Sequence, residues 1–325
     1  MPELVKQNSE ILFIYDAKMC NPNGDPDDEN RPRMDTDRER NLVSDVRLKR
    51  YIRDYLQDKG YIIYVTKAEG VVIAGERLKK VLGKEEQPSR EDLPTLLEKL
   101  IDVRLFGATM PVKGERRGEG EAINLTGPVQ FNWGYSLNRV QLVDSNTISS
   151  QFASEGGARQ GTFGKDYRVY YSLIAFHGIV SARRVEAMVK IAGGNSKAAT
   201  SEEDLALLDE AMLKAIPLLA TRSKIGQYPR LYARFVFNDA ETFMGDMRED
   251  LKVKPDRDLR SIKDFDLEIG GLKDRVQEVK DRVARVYVWQ DKELRTVVDG
   301  EPKTLPAFLG ELLGSNRVTP LGLGG

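Results

Sequence analysis

Apolar and β-forming residues first gather at Glu10–Asp16 (EILFIYD), a short run that predicts a buried strand. The next stretch, CNPNGDPDDENRPR from Cys20 to Arg33, is dense in Pro, Asn, Gly and Asp, and predicts a long loop without regular structure. Leu48, Ile52 and Leu56 then recur every four residues with Tyr51 and Tyr55 beside them, which predicts a helix over Leu42–Leu56. Asn41 or Ser44 would cap it and Gly60 would end it. A further β-rich run at Tyr61–Thr66 predicts a second strand.

Beyond it the pattern predicts helices at Ala74–Leu82 and Leu93–Leu105, then an exposed excursion, GATMPVKGERRGEGE, too polar to pack. Pro128–Trp133 reads as a strand, Leu137–Asp166 as a polar, hairpin-like protrusion, and Tyr167–Val180 as the strongest β signal in the chain. A helix follows at Glu202–Ala215, capped by Ser201 and stopped near Pro217. Leu231, Ala233, Phe235 and Phe237 alternate along a strand. The remainder carries one strand, Val283–Trp289, and a terminus, LGLGG, expected to fray. With the excursions removed, the order is strand–helix–strand twice over. The predicted fold class is α+β, with a ferredoxin-like core.

Composition narrows the function classes. The 325 residues include one cysteine (Cys20) and one histidine (His177), which excludes an intrachain disulfide framework and any multi-histidine metal site. No run approaches the roughly 18 apolar residues of a membrane span, and the start, MPELVKQNSE, lacks the features of a secretory signal. A soluble, cytoplasmic protein without cofactor, metal or membrane partner is expected. The net charge of −1 argues mildly against nucleic acid, but only until its distribution is read.

Between Arg31 and Arg53 eight basic residues face four acidic ones. They include Arg31 and Arg33 in the loop and Arg47, Lys49, Arg50 and Arg53 on the helix, where the i, i+3 arginines would present a flank suited to phosphates. Three further segments repeat the theme: Lys113, Arg116 and Arg117 in the excursion; Arg159, Lys165 and Arg168 in and after the protrusion; Arg222 and Lys224 in a late loop. Phe152 and Phe163 lie among the protrusion's glycines, where an aromatic could stack on bases. RNA is the expected ligand. The opposing reading is a metal-dependent endoribonuclease using Asp25, Asp27, Asp28 and Glu29 in the loop after the first strand. His177, in IAFHGIV, and Cys20, with no activating neighbour in sequence, read as structural.

NPNGDPDDENRPRMD followed by SDVRLKRYIRDYL resembles the start of the major backbone subunit of type I CRISPR surveillance complexes (Cascade), of the RAMP superfamily. GGARQGTFGKDYRVYYSLIAFHGIVSA, EEDLALLDEAM and TRSKIGQYPRL extend the resemblance in the same order, and TRSKIGQ is most similar to the I-B variant. The resemblance implies an RRM-like palm (1–66, 123–136 and 167–238), inserted fingers (67–122), a thumb (137–166) and a palm-associated extension (239–325). It implies non-catalytic binding of CRISPR RNA by copies stacked head-to-tail, alongside other Cascade subunits, with target DNA read through the guide. Ser44, Lys49, Arg50 and Arg53 match the palm helix beside the RNA. Gln160, Thr162 and Lys165 match the thumb, and Arg222, Ser223 and Lys224 the loop after the second helix. Relatives that cut RNA use an aspartate after the first strand, a neighbourhood that Asp25, Asp27, Asp28 and Asp35 occupy here.

Overall fold

The computed structural model describes residues 2–66, 73–113, 120–144, 147–149, 163–218 and 221–322. The expected sites at Arg116, Arg117, Phe152, Arg159, Gln160 and Thr162 lie outside them.

The core elements, in chain order, are β1 (Ser9–Cys20), α1 (Asp45–Asp58), β2 (Val129–Phe131), β3 (Gly134–Ser136), β4 (Val169–Val180), α2 (Glu202–Leu218), β5 (Gln227–Phe237) and β6 (Val283–Gln290). β1 lies at the centre, antiparallel to β4 on one side and to β5 on the other. β2 and β3 pair with β4, and β6 pairs with β5. The chain is therefore a mixed α/β protein with one large sheet.

The run Tyr61–Thr66 is not a strand. Apart from one bridge at Ile62, its amides find other partners: those of Tyr64 and Val65 donate to the Asp102 carboxylate at 2.8 and 3.1 Å, and those of Tyr61 and Thr66 to the carbonyls of Leu56 and Tyr64. Tyr61, Ile62 and Val65 are left exposed. The strand pair that follows α1 in the sheet is β2 and β3 instead, some seventy residues later. The β-propensity of residues 61–66 was real, but no neighbouring strand was available to pair with it.

Both faces of the sheet are buried. On one face Ile11, Phe13, Tyr15, Phe176 and Tyr232 share a core with Leu48, Ile52 and Leu56 of α1 and Leu205, Leu208 and Met212 of α2. α2 is tied to β5 by the buried Asp209, which accepts from Arg234 (2.8 and 2.6 Å) and from the Tyr232 hydroxyl (2.5 Å). On the other face Leu12, Ile14, Leu173 and Phe235 pack with Met247, Phe265, Leu267, Leu305 and Phe308. The segment after Asp239 thus forms a second covering layer, with helices Leu272–Glu278 and Leu305–Leu313 and a small four-stranded sheet. Sequence pattern located only β6 in it, because its strands are two or three residues long. Just before the LGLGG terminus, Val318–Pro320 pairs in parallel with β6.

Three more expectations change. The polar excursion is an antiparallel hairpin, Gly107–Lys113 with Gly120–Thr126, whose Met110 and Val112 are buried. The helix expected over Leu93–Leu105 breaks at Leu100, whose backbone is extended. A helix at Ala182–Ile191 went unread. The protrusion, by contrast, has the expected paired stem, Thr147–Ser149 against Phe163–Lys165.

Candidate nucleic-acid interface

The cations expected to meet RNA separate into those the fold consumes and those it presents. Ser44 caps α1: its Oγ accepts from the Arg47 amide at 3.4 Å. Asn23 fixes that cap, its Oδ1 accepting from both the Ser44 amide and hydroxyl at 2.9 Å. On the helix, Lys49 donates to Asp45 (3.0 Å) and Gln130 (3.1 Å) and is buried. Arg53 is buried too, its Nε donating to Asp102 at 3.0 Å, while Arg50 pairs with Asp54 and donates to the Val65 carbonyl at 2.6 Å. Of the expected flank of Arg47, Arg50 and Arg53, Arg53 is thus buried and Arg50 half-buried. The apolar stripe and the partners from residues 65, 102 and 130 draw these groups inward.

Arg47 differs. Its guanidinium stacks 4.0 Å over the Tyr51 ring and it lines an open groove of about 440 Å³ with Asn21, Asn23, Lys165, Ser223 and Lys224. Four distant segments meet there. Lys224 donates to the carbonyls of Asn21 (2.5 Å) and Pro22 (3.3 Å), and the Asn21 amide donates back to Ser223 at 2.9 Å. Gly226 makes this approach possible. Its φ is +102°, and a Cβ there would stand 2.4 Å from the Lys18 carbonyl oxygen. Arg168, at the start of β4, ties the pieces together by donating to the carbonyls of Met19 (2.6 Å) and Arg222 (3.3 Å). Asp166 accepts from Arg168 and, at 3.2 Å, from Arg222, whose side chain is still 68% exposed.

Arg31 and Arg33 belong to a small hairpin, Gly24–Asp25 with Arg31–Pro32, in the segment expected to lack regular structure. Arg33 donates to Asp25 at 2.9 Å and lies over the Trp133 ring. Arg31 pairs loosely with Asp28 (3.8 Å) and stacks on Tyr167 at 4.8 Å. Lys113 is exposed at the end of its own strand and does not line the groove. Phe163 is placed by its backbone, opposite Ser149.

The acidic loop does not converge. Asp25 is held by Arg33, Asp28 faces Arg31, Glu29 is bound by Lys165 and Tyr167, and Asp35 caps the amide of Arg38 at 3.2 Å. Among the described residues no three Asp, Glu, His or Cys groups are placed to hold a metal ion. His177 Nε2 sits 3.2 Å from the buried Glu10, whose Oε1 also accepts from the Gly245 amide. Burial pushes the Cys20 thiol up to about 12, so the thiolate is not populated near neutrality.

Sequence reading missed Asn21, Asn23, Asp166 and Tyr167. The Asn-Pro-Asn between a strand end and a helix cap was the available signal for the asparagines; nothing marked Tyr167 apart from its place in a β run.

Fold and site together define a mixed α/β protein with a sheet covered on both faces and cations gathered in a groove at the end of its central strand. Residues 7–270 match the family described as CRISPR-associated protein Cas7, and the chain belongs to that family. It is similar to a curated protein of Haloferax volcanii described as "CRISPR-associated protein Cas7", with 35% identity covering 94% of this chain and 93% of the relative. Among solved structures, one titled "CRISPR RNA-guided surveillance complex" shares 17% identity at a TM-score of 0.49, covering 88% of this chain and 89% of that one. A second, titled "CRISPR RNA-guided surveillance complex, pre-nicking", shares 14% at the same TM-score, covering 95% and 99%. Among the described residues no helix is long and apolar enough to cross a membrane.

Proposed function

We propose that this chain is a non-catalytic RNA-binding subunit that stacks head-to-tail along CRISPR RNA as the backbone of a type I, I-B-like surveillance complex. In this reading the RRM-like palm carries the groove, residues 67–122 are fingers, 137–166 a thumb, and 239–325 a layer that covers the palm. Target DNA is then recognised by base pairing with the guide.

The observation that carries the reading is the groove itself, in a chain of this family. Lys165 and Lys224, from remote segments, line it with Arg47, and Arg168 and Arg222 adjoin it through Asp166. Contacts of Arg and Lys to phosphates hold RNA of any sequence, which a subunit coating a variable spacer requires. An RRM stacks bases on its sheet face. Here both faces are filled by protein, so the RNA is assigned to the sheet's end. The nuclease alternative has no support in the loop carboxylates: Asp25, Asp28, Glu29 and Asp35 are engaged with separate partners, and among the described residues no three such groups are placed to hold a metal ion.

Co-expression with CRISPR RNA and partner subunits tests this. The triple substitution Arg31→Ala, Lys165→Ala and Arg222→Ala removes exposed cations. It should strip RNA from the purified assembly while leaving the unfolding midpoint of the isolated chain unchanged. Full RNA retention would sink the assignment. Regular Mg²⁺-dependent cutting of complementary RNA, abolished by changing Asp25, Asp27 and Asp35, would replace it with the nuclease.

A further inference from the structure

The tip of the Gly24–Asp25/Arg31–Pro32 hairpin carries an acidic side chain where an RNA-binding surface should want none. Glu29 is exposed, and its carboxylate takes Lys165 Nζ at 2.8 and 2.6 Å and the Tyr167 hydroxyl at 2.7 Å. Arg31 completes the ring of donors, with its guanidinium stacked on the Tyr167 ring and one nitrogen 3.4 Å from the hydroxyl. We propose that Lys165, Tyr167 and Arg31 form a seat for one phosphodiester of the bound RNA, and that Glu29 fills this seat in the RNA-free chain as a built-in competitor. The inference rests on the RNA-binding reading for its physiological ligand.

The donor set is the first argument. An ammonium and a hydroxyl on one pair of anionic oxygens, with a guanidinium beside the hydroxyl, suit a phosphate as well as a carboxylate. Position is the second. Glu29 and Lys165 both line the groove that holds Arg47 and Lys224, so an RNA strand lying in it would pass the seat. Asymmetry is the third. Tyr167 is only 6% exposed and lies two residues before β4 of the central sheet, so the seat is anchored. The competitor rides on a hairpin closed by two residue pairs, with Glu29 and Asn30 both at positive φ (48° and 60°) and every residue from Pro26 to Arg31 exposed. When an anion arrives, the Glu29 side chain is the part that can leave, while the backbone beside it stays tied by Asn21 Nδ2, which donates to the Asn30 carbonyl at 2.7 Å. Lys165 and Tyr167 hold the Glu29 carboxyl below its usual range, so the competitor is charged throughout the neutral region.

The internal ion pair is exposed, so its removal should change affinity modestly, about two- to fivefold at low salt, and less as salt screens it. The full-length chain with Glu29→Gln should therefore bind single-stranded oligouridylate about two- to fivefold more tightly than the wild type. Adding Tyr167→Phe should cancel part of that gain. Unchanged or weaker binding by Glu29→Gln would overturn the competitor role, and weaker binding would instead make Glu29 a positioning residue. A second arm needs no RNA. Acylation of Lys165, followed by mass spectrometry, should be slowed by inorganic phosphate in Glu29→Gln and far less in the wild type. Equal protection in both, or in neither, overturns the seat. A wild type that binds no oligouridylate would defeat the functional reading alone, because the phosphate arm stands separately.

Discussion

Arg53 and Lys49 of α1 and the cations beside the groove are the same residue types in opposite settings. Arg53 and Lys49 are buried against Asp102, Asp45 and Gln130, and they join α1 to the residues that follow it. Arg222 and Lys165 are respectively 68% and 52% exposed at the side chain, and their carboxylate partners lie on other loops. A cation taken from water needs a fixed counter-charge, or it destabilises the fold. One held at the surface keeps most of its hydration and can exchange an internal partner for a phosphate. Residue type therefore says little about role. What decides it is whether a rigid partner reaches the charge.

The largest test of this contrast is Arg53→Ala. It leaves Asp102, which is fully buried, without its cation, and should cost about 3–5 kcal/mol in urea unfolding. A loss below about 1 kcal/mol, the range of an exposed pair, would erase the distinction between the two sets. Asn23→Ala removes the acceptor that holds the Ser44 cap and should cost about 1–2 kcal/mol, read as a lower unfolding midpoint. Arg222→Ala should stay within about 0.5 kcal/mol of wild-type stability. It should nevertheless weaken RNA binding and reduce the log–log salt slope by about 0.7, the share of one phosphate contact on a single strand. An unchanged slope would remove Arg222 from the interface.

The smallest expected effect is a pH dependence at an exposed cluster on the helices. Glu210 accepts from Lys59 (2.6 Å), Tyr55 (2.8 Å) and Lys214 (3.1 Å), and these partners hold its carboxyl down to about 2 from an ordinary 4.5. The folded chain thus binds this proton less readily than the unfolded chain. Its stabilising share is complete above about pH 4.5 and fades as pH falls towards 2. Glu210→Gln should flatten that part of the stability profile, and an identical slope in both proteins would argue against the cluster.

Local pattern in the sequence was enough for the central strands β1, β4, β5 and β6, for α1 with Ser44 as one of two candidate caps, and for α2 with its Ser201 cap. Those elements are long, and their apolar spacing or capping chemistry is self-contained. The family resemblance was legible too, since it lives in contiguous motifs. Residues 61–66 read as a strand from the same kind of evidence and are not one, because a strand also needs a neighbour, which no local pattern supplies. The layer built after Asp239 was nearly invisible for the complementary reason. Its strands are too short to show a period, and its value lies in covering Leu12, Ile14 and Phe235 on a sheet formed elsewhere.

Charge followed the same division. Sequence determined that basic residues cluster in a few segments of a chain with net charge −1. Tertiary structure alone decided that Asp102, nearly fifty residues beyond Arg53, would neutralise that arginine, whereas Lys49 and Arg50 meet Asp45 and Asp54 four residues away on their own helix. It also brought Asn21, Lys165, Tyr167 and Lys224 together around Arg47. The reason is physical: propensity and periodicity act within a few residues, whereas ion pairing and burial act between whatever the folded chain brings within a few ångströms.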